Sequence, residues 1–388
     1  MPGSILIARV LGIDIRIHLS WFLIFGLIVV SYSNPDGGLF SQIRPTWSDQ
    51  KLVIVAAVYS VLFFASIVAH ELAHAAVARA YRLPVSSITL FLLGGVANLA
   101  KEPPSARVEF LMAIAGPLTS LVIGGIGLGI AQLADEIVAR SAALDPVVVV
   151  SLYLGLTNLL IAGFNMVPGF PLDGGRVLRS IVWGVTRERA RATQIAARGG
   201  QVVAGLLVLF GVWRALALDD TFGGVWMAMI AYYLWNAASS SIEQERVAIT
   251  VSGVQVGPLM TTSFRAVHPR SSVAELVETH VLPHNARAVA VIDPSGSRLV
   301  GIVTIADLRK VPQGEWGVTT VDRVMTPATE IPSVGPTSRL MTAIERFGAS
   351  QLPVLPVVDD GVLVGMLERE AVVSYVRMRE MLGLDGRR

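Results

Sequence analysis

His70-Glu71-Leu72-Ala73-His74 follows without a break on residues 52–69 (LVIVAAVYSVLFFASIVA), eighteen positions with no charged side chain. As a helix that run rises about 27 Å, close to the hydrocarbon thickness of a bilayer. Histidines four apart stand one turn from each other on the same helical face, so both rings reach a single metal ion. Glu71, beside the first of them, is placed to act as general base toward a water at that metal. The bland alternative is two helix histidines satisfying core hydrogen bonds. Ionisable groups inside a spanning helix are costly, however, and are as a rule functional.

Composition sets the class. Of 388 residues, 53% are hydrophobic and 15% charged, which describes a membrane protein long enough for two or three domains. A formal net charge of +2 gives no basis for binding nucleic acid, and the basic residues sit in particular loops rather than in one stripe. The chain has no cysteine. Disulfides and cysteine-ligated zinc are thereby excluded, and metal ligands have to be His, Asp or Glu.

Upstream of the pentad, residues 13–18 alternate apolar and polar, a strand pattern and not a cleavable signal, and residues 20–30 form a short apolar helix ended by Asn34-Pro35-Asp36-Gly37-Gly38. Downstream, residues 85–99 are apolar but interrupted by Gly94-Gly95. That stretch is too short to span and predicts a re-entrant hairpin or a strand pair lining a cavity. Apolar helices are expected over residues 108–133, with a kink at Gly116-Pro117, and over 146–164, 201–218 and 223–238. With the two upstream runs this makes about six transmembrane helices and a small membrane-associated β element.

The helix over 146–164 leads into Asn165-Met166-Val167-Pro168-Gly169-Phe170-Pro171-Leu172-Asp173-Gly174-Gly175. Prolines and glycines forbid a regular helix here, and a single carboxylate stands in an otherwise apolar segment. Asp173 is a candidate third metal ligand. Standing alone, the segment would read as an Asp-Gly turn at a membrane surface.

Basic residues give an orientation. With six spans, one side carries Arg9, Arg16, Arg79, Arg82, Lys101, Arg107, Arg176, Arg179, Arg187, Arg189, Arg191 and Arg198, while the other has Arg44, Lys51, Arg140 and Arg214. Twelve against four predicts a multi-pass protein of the cell membrane with both termini in the cytosol. The pentad helix and the helix before Asn165 then both run toward the cytosol, so His70, His74 and Asp173 are expected at one depth. Three ligands leave a fourth position for water.

From residue 242 charges return and a repeat appears. Val256-Gly257-Pro258-Leu259-Met260-Thr261 recurs as Val321-Asp322-Arg323-Val324-Met325-Thr326, and Gly301-Ile302-Val303-Thr304 as Gly365-Met366-Leu367-Glu368. Each copy has helix-like stretches (273–281; 340–347) beside strand-like ones (288–292 with 299–303; 354–358 with 362–366), which makes an α/β tandem. His268, His280 and His284 have no ligand-like partners in this half and read as surface residues.

The pentad together with residues 165–175 resembles the site-2 protease family of intramembrane zinc metalloproteases, over roughly residues 1–240. The resemblance implies one zinc ion per chain bound by His70, His74 and Asp173, a catalytic Glu71, and a transmembrane protein as substrate within the lipid. It further implies that Asn165 positions substrate or the oxyanion, and that Gly94 and Gly95 lie in a membrane-embedded strand that pairs with an unwound substrate. The C-terminal repeat resembles a pair of cystathionine β-synthase-type (CBS) domains, often adenine-nucleotide sensors and here expected to be cytosolic. Their Gly-x-x-Thr-x-x-Asp motif is matched by Gly301, Thr304 and Asp307, whereas the second copy has Glu368 and Ala371 at the last two places. An acidic side chain repels phosphate, so one nucleotide site is expected, and dimerisation of the protein through the module is an equal alternative.

The expected divisions are a transmembrane domain over 1–242, a linker over 243–251, and a tandem over 252–388 with copies at 252–312 and 317–380. A nucleotide-gated transporter or channel is the competing function, because CBS pairs also hang from such proteins and intramembrane His and Asp line ion paths. It leaves unexplained why a glutamate stands beside the first of two histidines at helical spacing.

Overall fold

The structure is a computed structural model that describes residues 3–91, 94–99, 102–138, 144–293, 298–350 and 352–384. Lys101 and Arg140 of the charge count lie outside the described residues. The chain divides into two compact units, Met1–Glu243 and Gln244–Arg388.

In the first unit, strands β1 (Ser4–Val10) and β2 (Ile13–His18) precede helices α1 (Ser20–Ser33), α2 (Leu39–Ile43) and α3 (Asp49–Ala80). Strands β3 (Val85–Phe91) and β4 (Gly94–Leu99) follow, then helices α4 (Ala106–Val138), α5 (Asp145–Asn165), α6 (Asp173–Thr186), α7 (Arg189–Ala217) and α8 (Thr221–Thr250). The apolar run and the pentad are one uninterrupted helix, α3, whose N-terminal Ser48 side chain accepts from the Lys51 N–H. Among the described residues, α3, α4, α5 and α7 are long and apolar enough to cross a membrane. Helix α1 is apolar but has 14 residues, and α8 carries Glu243, Glu245 and Arg246 in its second half.

Several expectations are corrected. Val85–Phe91 and Gly94–Leu99 form an antiparallel strand pair, one of the two forms expected, but the pair does not stand alone: it joins β1 and β2 in a single sheet of order β1-β2-β3-β4, with β2 and β3 parallel. The sheet is larger than residues 13–18 suggested, because the β1–β2 turn at Leu11-Gly12 adopts positive φ (51° and 74°) and folds an extra strand back. Helix α7 begins at Arg189, a full three turns before the apolar run that predicted it. The largest departure is α6: Asp173-Gly174-Gly175 open a helix rather than lie in a loop. Gly174 and Gly175 are there for close approach, since a Cβ on either would strike the backbone of the 166–170 turn. The segment expected as a linker, 243–251, is helical through Thr250.

Helices α4 and α5 pack through glycine. A Cβ at Gly155 would stand 2.9 Å from the Leu128 nitrogen, and one at Gly127 would stand 2.9 Å from Gly155 Cα. Small residues let helix backbones approach where lipid removes the hydrophobic drive to associate.

The second unit contains β5 (Ala266–Val267), α9 (Val273–Leu276), β6 (Ala288–Ile292), β7 (Leu299–Thr304), α10 (Ile305–Leu308), β8 (Thr326–Pro327), α11 (Leu340–Ala349), β9 (Val354–Asp359), β10 (Val362–Glu368) and α12 (Arg369–Met381). The two copies are interlaced. Thr326, which leads into the second copy, pairs with Ile302 of the first, while Thr261, which leads into the first, pairs with Met366 of the second. The repeated Met and Gly of the sequence meet reciprocally: a Cβ at Gly301 would lie 2.7 Å from Met325 Sδ, and one at Gly365 would lie 2.9 Å from Met260 Sδ. Ala290, Ile302, Val354, Leu363 and Met366 form a buried cluster to which both copies contribute.

Glycine packing yields a stability prediction. Gly155→Val forces α4 and α5 apart and is expected to lower stability by about 1–3 kcal/mol, the usual cost of overpacking. Gly129→Val, where a Cβ meets nothing within 4 Å, is expected to be neutral. Thermal unfolding of the two variants in one detergent checks both.

Candidate metal centre

The apolar bundle brings three candidate metal ligands to one point. His70 and His74 project from α3, and Asp173, the first residue of α6, meets them across the interior. His70 Nε2 and His74 Nε2 are each 3.2 Å from the same Asp173 Oδ2. The histidines are 4% and 6% exposed. One atom from each of the three residues lies within 4.8 Å of the others, and no further such group of His, Asp and Glu occurs among the described residues.

The other ring nitrogens decide what the centre requires. His74 Nδ1 lies 2.6 Å from the Met112 carbonyl, which only accepts, so Nδ1 carries a proton and Nε2 is the nitrogen that faces Asp173. His70 Nδ1 is held by the Ser120 hydroxyl at 2.8 Å, with Ser120 itself buried. The two Nε2 atoms and the Asp173 oxygen are together a donor set that one cation between them would satisfy. Zinc fits this donor set: zinc–nitrogen bonds of about 2.0–2.1 Å in a tetrahedron put ligand atoms about 3.3 Å apart, close to the spacing observed. Each imidazole also has the outer hydrogen bond that orients metal-binding histidines.

Backbone comes close on two sides. A Cβ at Gly116 of α4 would lie 2.5 Å from His70 Nε2 and nearer still to His74 Nε2. Gly116-Pro117, expected as a kink, lies within the continuous α4, and Gly116 clears room for the rings. A Cβ at Gly95 of β4 would lie 2.7 Å from Glu71 Cγ, so the strand passes directly beside that glutamate. Glu71 is half-buried, and β4 is an edge of its sheet. Gly94 has φ 134° and open space around it. Asn165 closes α5 half-buried, with no hydrogen bond to His70, His74 or Asp173 among the described residues.

The segment that delivers Asp173 is braced from two directions. The Phe170 N–H donates to the Ala196 carbonyl at 3.0 Å, and Phe170 packs on Ala196, Ala197 and Ala238. Arg179 of α6 is ion-paired with Glu109 of α4 in the interior. Arg179 was counted above among the basic residues flanking the membrane; its guanidinium is 13% exposed and committed to Glu109. Met112, Ser120, Glu109 and the clearance at Gly116 were not found from sequence. A hint existed in the spacing 109, 112, 116 and 120, which repeats at helical period on one face.

In the second unit, Thr304 and Asp307 form a capping box at the start of α10, with the Thr304 hydroxyl donating to Asp307 Oδ2 at 2.7 Å. Lys310 Nζ donates to Asp307 Oδ1 at 2.8 Å. Burial pushes the Asp307 carboxyl up, but the bonds from Lys310 and Thr304 outweigh it and hold it below the usual carboxylate range. Glu368 is exposed at the corresponding place. His268 and His284 are exposed, whereas His280 is half-buried with its Nδ1 unpaired among the described residues.

The clearance at Gly116 makes a sharp prediction. Alanine in a helix is ordinarily worth up to about 1 kcal/mol over glycine, yet Gly116→Ala is expected to displace both rings and weaken zinc binding at least tenfold. Zinc affinity measured in competition with a chelator checks it, and parent-like affinity would refute the placement of the rings.

Comparison with known proteins identifies the family. Residues 58–135 and 128–209 match peptidase family M50, and residues 256–314 and 321–377 match the CBS domain. A protein of Synechocystis sp. named as a zinc metalloprotease is 31% identical over 380 residues, 97% of this chain and 96% of its own. Rip3 of Mycobacterium tuberculosis, also named as a zinc metalloprotease, is 31% identical over 352 residues, 89% of this chain and 86% of its own. The solved site-2 protease from Methanocaldococcus jannaschii is 27% identical and covers 62% of this chain and 95% of its own, with a TM-score of 0.41. The full-length match to a named zinc metalloprotease decides against the transporter alternative: the chain belongs to peptidase family M50, the site-2 protease family of zinc metalloproteases, and carries a tandem of CBS domains.

Proposed function

We propose that the protein hydrolyses a peptide bond in or near a transmembrane segment of another membrane protein, at one zinc ion per chain held by His70, His74 and Asp173. The observation that carries this reading is the convergence of two buried Nε2 atoms on one Asp173 oxygen, with Glu71 on the same helix beside a sheet edge. Zinc supplies a Lewis acid that polarises a carbonyl and lowers the pKa of water to about 7. Glu71 takes the proton from the attacking water on its carboxylate and passes it to the leaving amine. Asn165 positions the substrate or the oxyanion.

A helical substrate has its carbonyls bonded internally, so a segment must unwind before cleavage. Edge strand β4 is suited to receive the extended segment by strand addition, with Gly94 and Gly95 leaving space for its backbone. The spans in this reading are α1, α3, α4, α5, α7 and the apolar half of α8, in the cell membrane with both termini cytosolic. The excess of basic residues on one side supports that orientation.

The CBS module in this reading is cytosolic, joins two chains in a homodimer, and binds one adenine nucleotide per chain through Thr304 and Asp307. Only the first copy offers a hydroxyl and a carboxylate; the second has Glu368 and Ala371. The unit boundary at Glu243 falls inside α8, so no loop separates the module from the last apolar helix in sequence. A nucleotide alters proteolysis to the extent that it favours one arrangement of the module, typically about 5- to 150-fold.

Purified protein incubated with candidate single-span membrane proteins is expected to give fragments that vanish on chelation and return with zinc. In Glu71→Gln the amide keeps size but accepts no proton, so zinc stays bound while cleavage falls by about 10²- to 10⁴-fold. Undiminished cleavage would remove Glu71 from the mechanism. For the module, calorimetry on the whole protein with AMP, ADP and ATP is expected to show one site, weakened at least about tenfold by Asp307→Asn. Absence of heat, or indifference to the substitution, leaves the module without a nucleotide role.

A further inference from the structure

Glu109 is fully buried in the first turn of α4, at 0% exposure. Its Oε1 receives both Nε and Nη2 of Arg179, and its Oε2 has no hydrogen-bond partner among the described residues. A buried charge whose side-chain partner among the described residues is one guanidinium is costly to keep, which asks for a purpose beyond stability.

The location supplies one. Glu109, Met112, Gly116 and Ser120 follow at helical spacing down one stripe of α4. The Met112 carbonyl holds His74, Ser120 holds His70, and Gly116 passes both rings. The top of that stripe, Glu109, grips α6, the helix that begins with Asp173. Helices slide in steps of about 1.5 Å per residue, and a slip of one step would carry Asp173 off the shared position between the two imidazoles. Arg179 also lies over the Phe170 ring, 5.0 Å from its centroid, so the turn leading into Asp173 is part of the same clamp.

Resting on the reading of His70, His74 and Asp173 as zinc ligands, we propose that Glu109 and Arg179 are positioning residues that set the register of α6 against α4 and so hold Asp173 at the metal. The pair touches neither zinc nor substrate. It works through Asp173: α4 holds both imidazoles of α3, and this contact ties α6 to α4.

The test measures zinc affinity, the visible spectrum of the cobalt-substituted protein, and kcat and KM, in Glu109→Gln, Arg179→Gln and the double variant. Each single change is expected to weaken zinc binding about 10- to 100-fold, shift the cobalt bands and lower kcat with little change in KM. The double variant is expected to be no worse than either single one, because the two groups act as a unit. Ser180→Ala, a buried uncharged change on the same helix, is expected to lower thermal stability without moving the cobalt spectrum. Parent-like zinc affinity and spectra in both single variants, or losses that simply add in the double, would overturn the proposal. If the glutamine variants do not fold, Arg179→Lys takes their place: it keeps the charge but loses the forked geometry, and a parent-like spectrum there is equally fatal. A parent protein that binds no zinc defeats the ligand assignment instead, a separate failure.

Discussion

Two buried imidazole nitrogens converge on one carboxylate oxygen inside an apolar bundle, and much of the first unit is arranged around that meeting. The Met112 carbonyl fixes the tautomer of His74, and Ser120 fixes the ring of His70. Clearance comes from Gly116, while the tight turn before Asp173 depends on Gly174 and Gly175. Glycine in a helix weakens it and a buried Glu109 is expensive, so the fold carries local costs at the very place where His70, His74 and Asp173 meet.

The strand beside the site has a complementary part. With β4 at the sheet edge and Gly95 against Glu71, an extended peptide added to that edge would bring its carbonyls past the glutamate. A binding surface made of backbone groups reads conformation rather than sequence. Selection of substrate would then rest on which transmembrane segments unwind readily, a property of their glycine, proline and polar content.

Much was legible in the chain because it is local. The pentad's four-residue spacing and the uncharged run before it announce α3, and the recurrence of Met-Thr and Gly motifs announces the tandem. What escaped depends on contacts between distant residues. Gly174 and Gly175 looked like a turn because nothing nearby says that the 166–170 backbone will press on them. Arg179 looked like a membrane-flanking cation because its partner Glu109 is seventy positions away. Gly116 could be read only for its place beside Pro117, since nothing nearby in sequence says that two rings will press on it. Alternation in residues 13–18 was visible, yet the parallel pairing of β2 with β3 is set by the packing of Ile13, Ile15 and Ile88 on α3 and leaves no trace in either strand alone.

The interlacing of the CBS copies has a consequence for biosynthesis. Thr261 finds its partner only when Met366 has been made, so the pairing closes a loop of about a hundred residues, a slow and entropically expensive event. By then the ribosome has already released all of the preceding helices for insertion. Membrane integration and completion of the C-terminal module are therefore separated in time, and each repeat lacks strand partners until the other has been made.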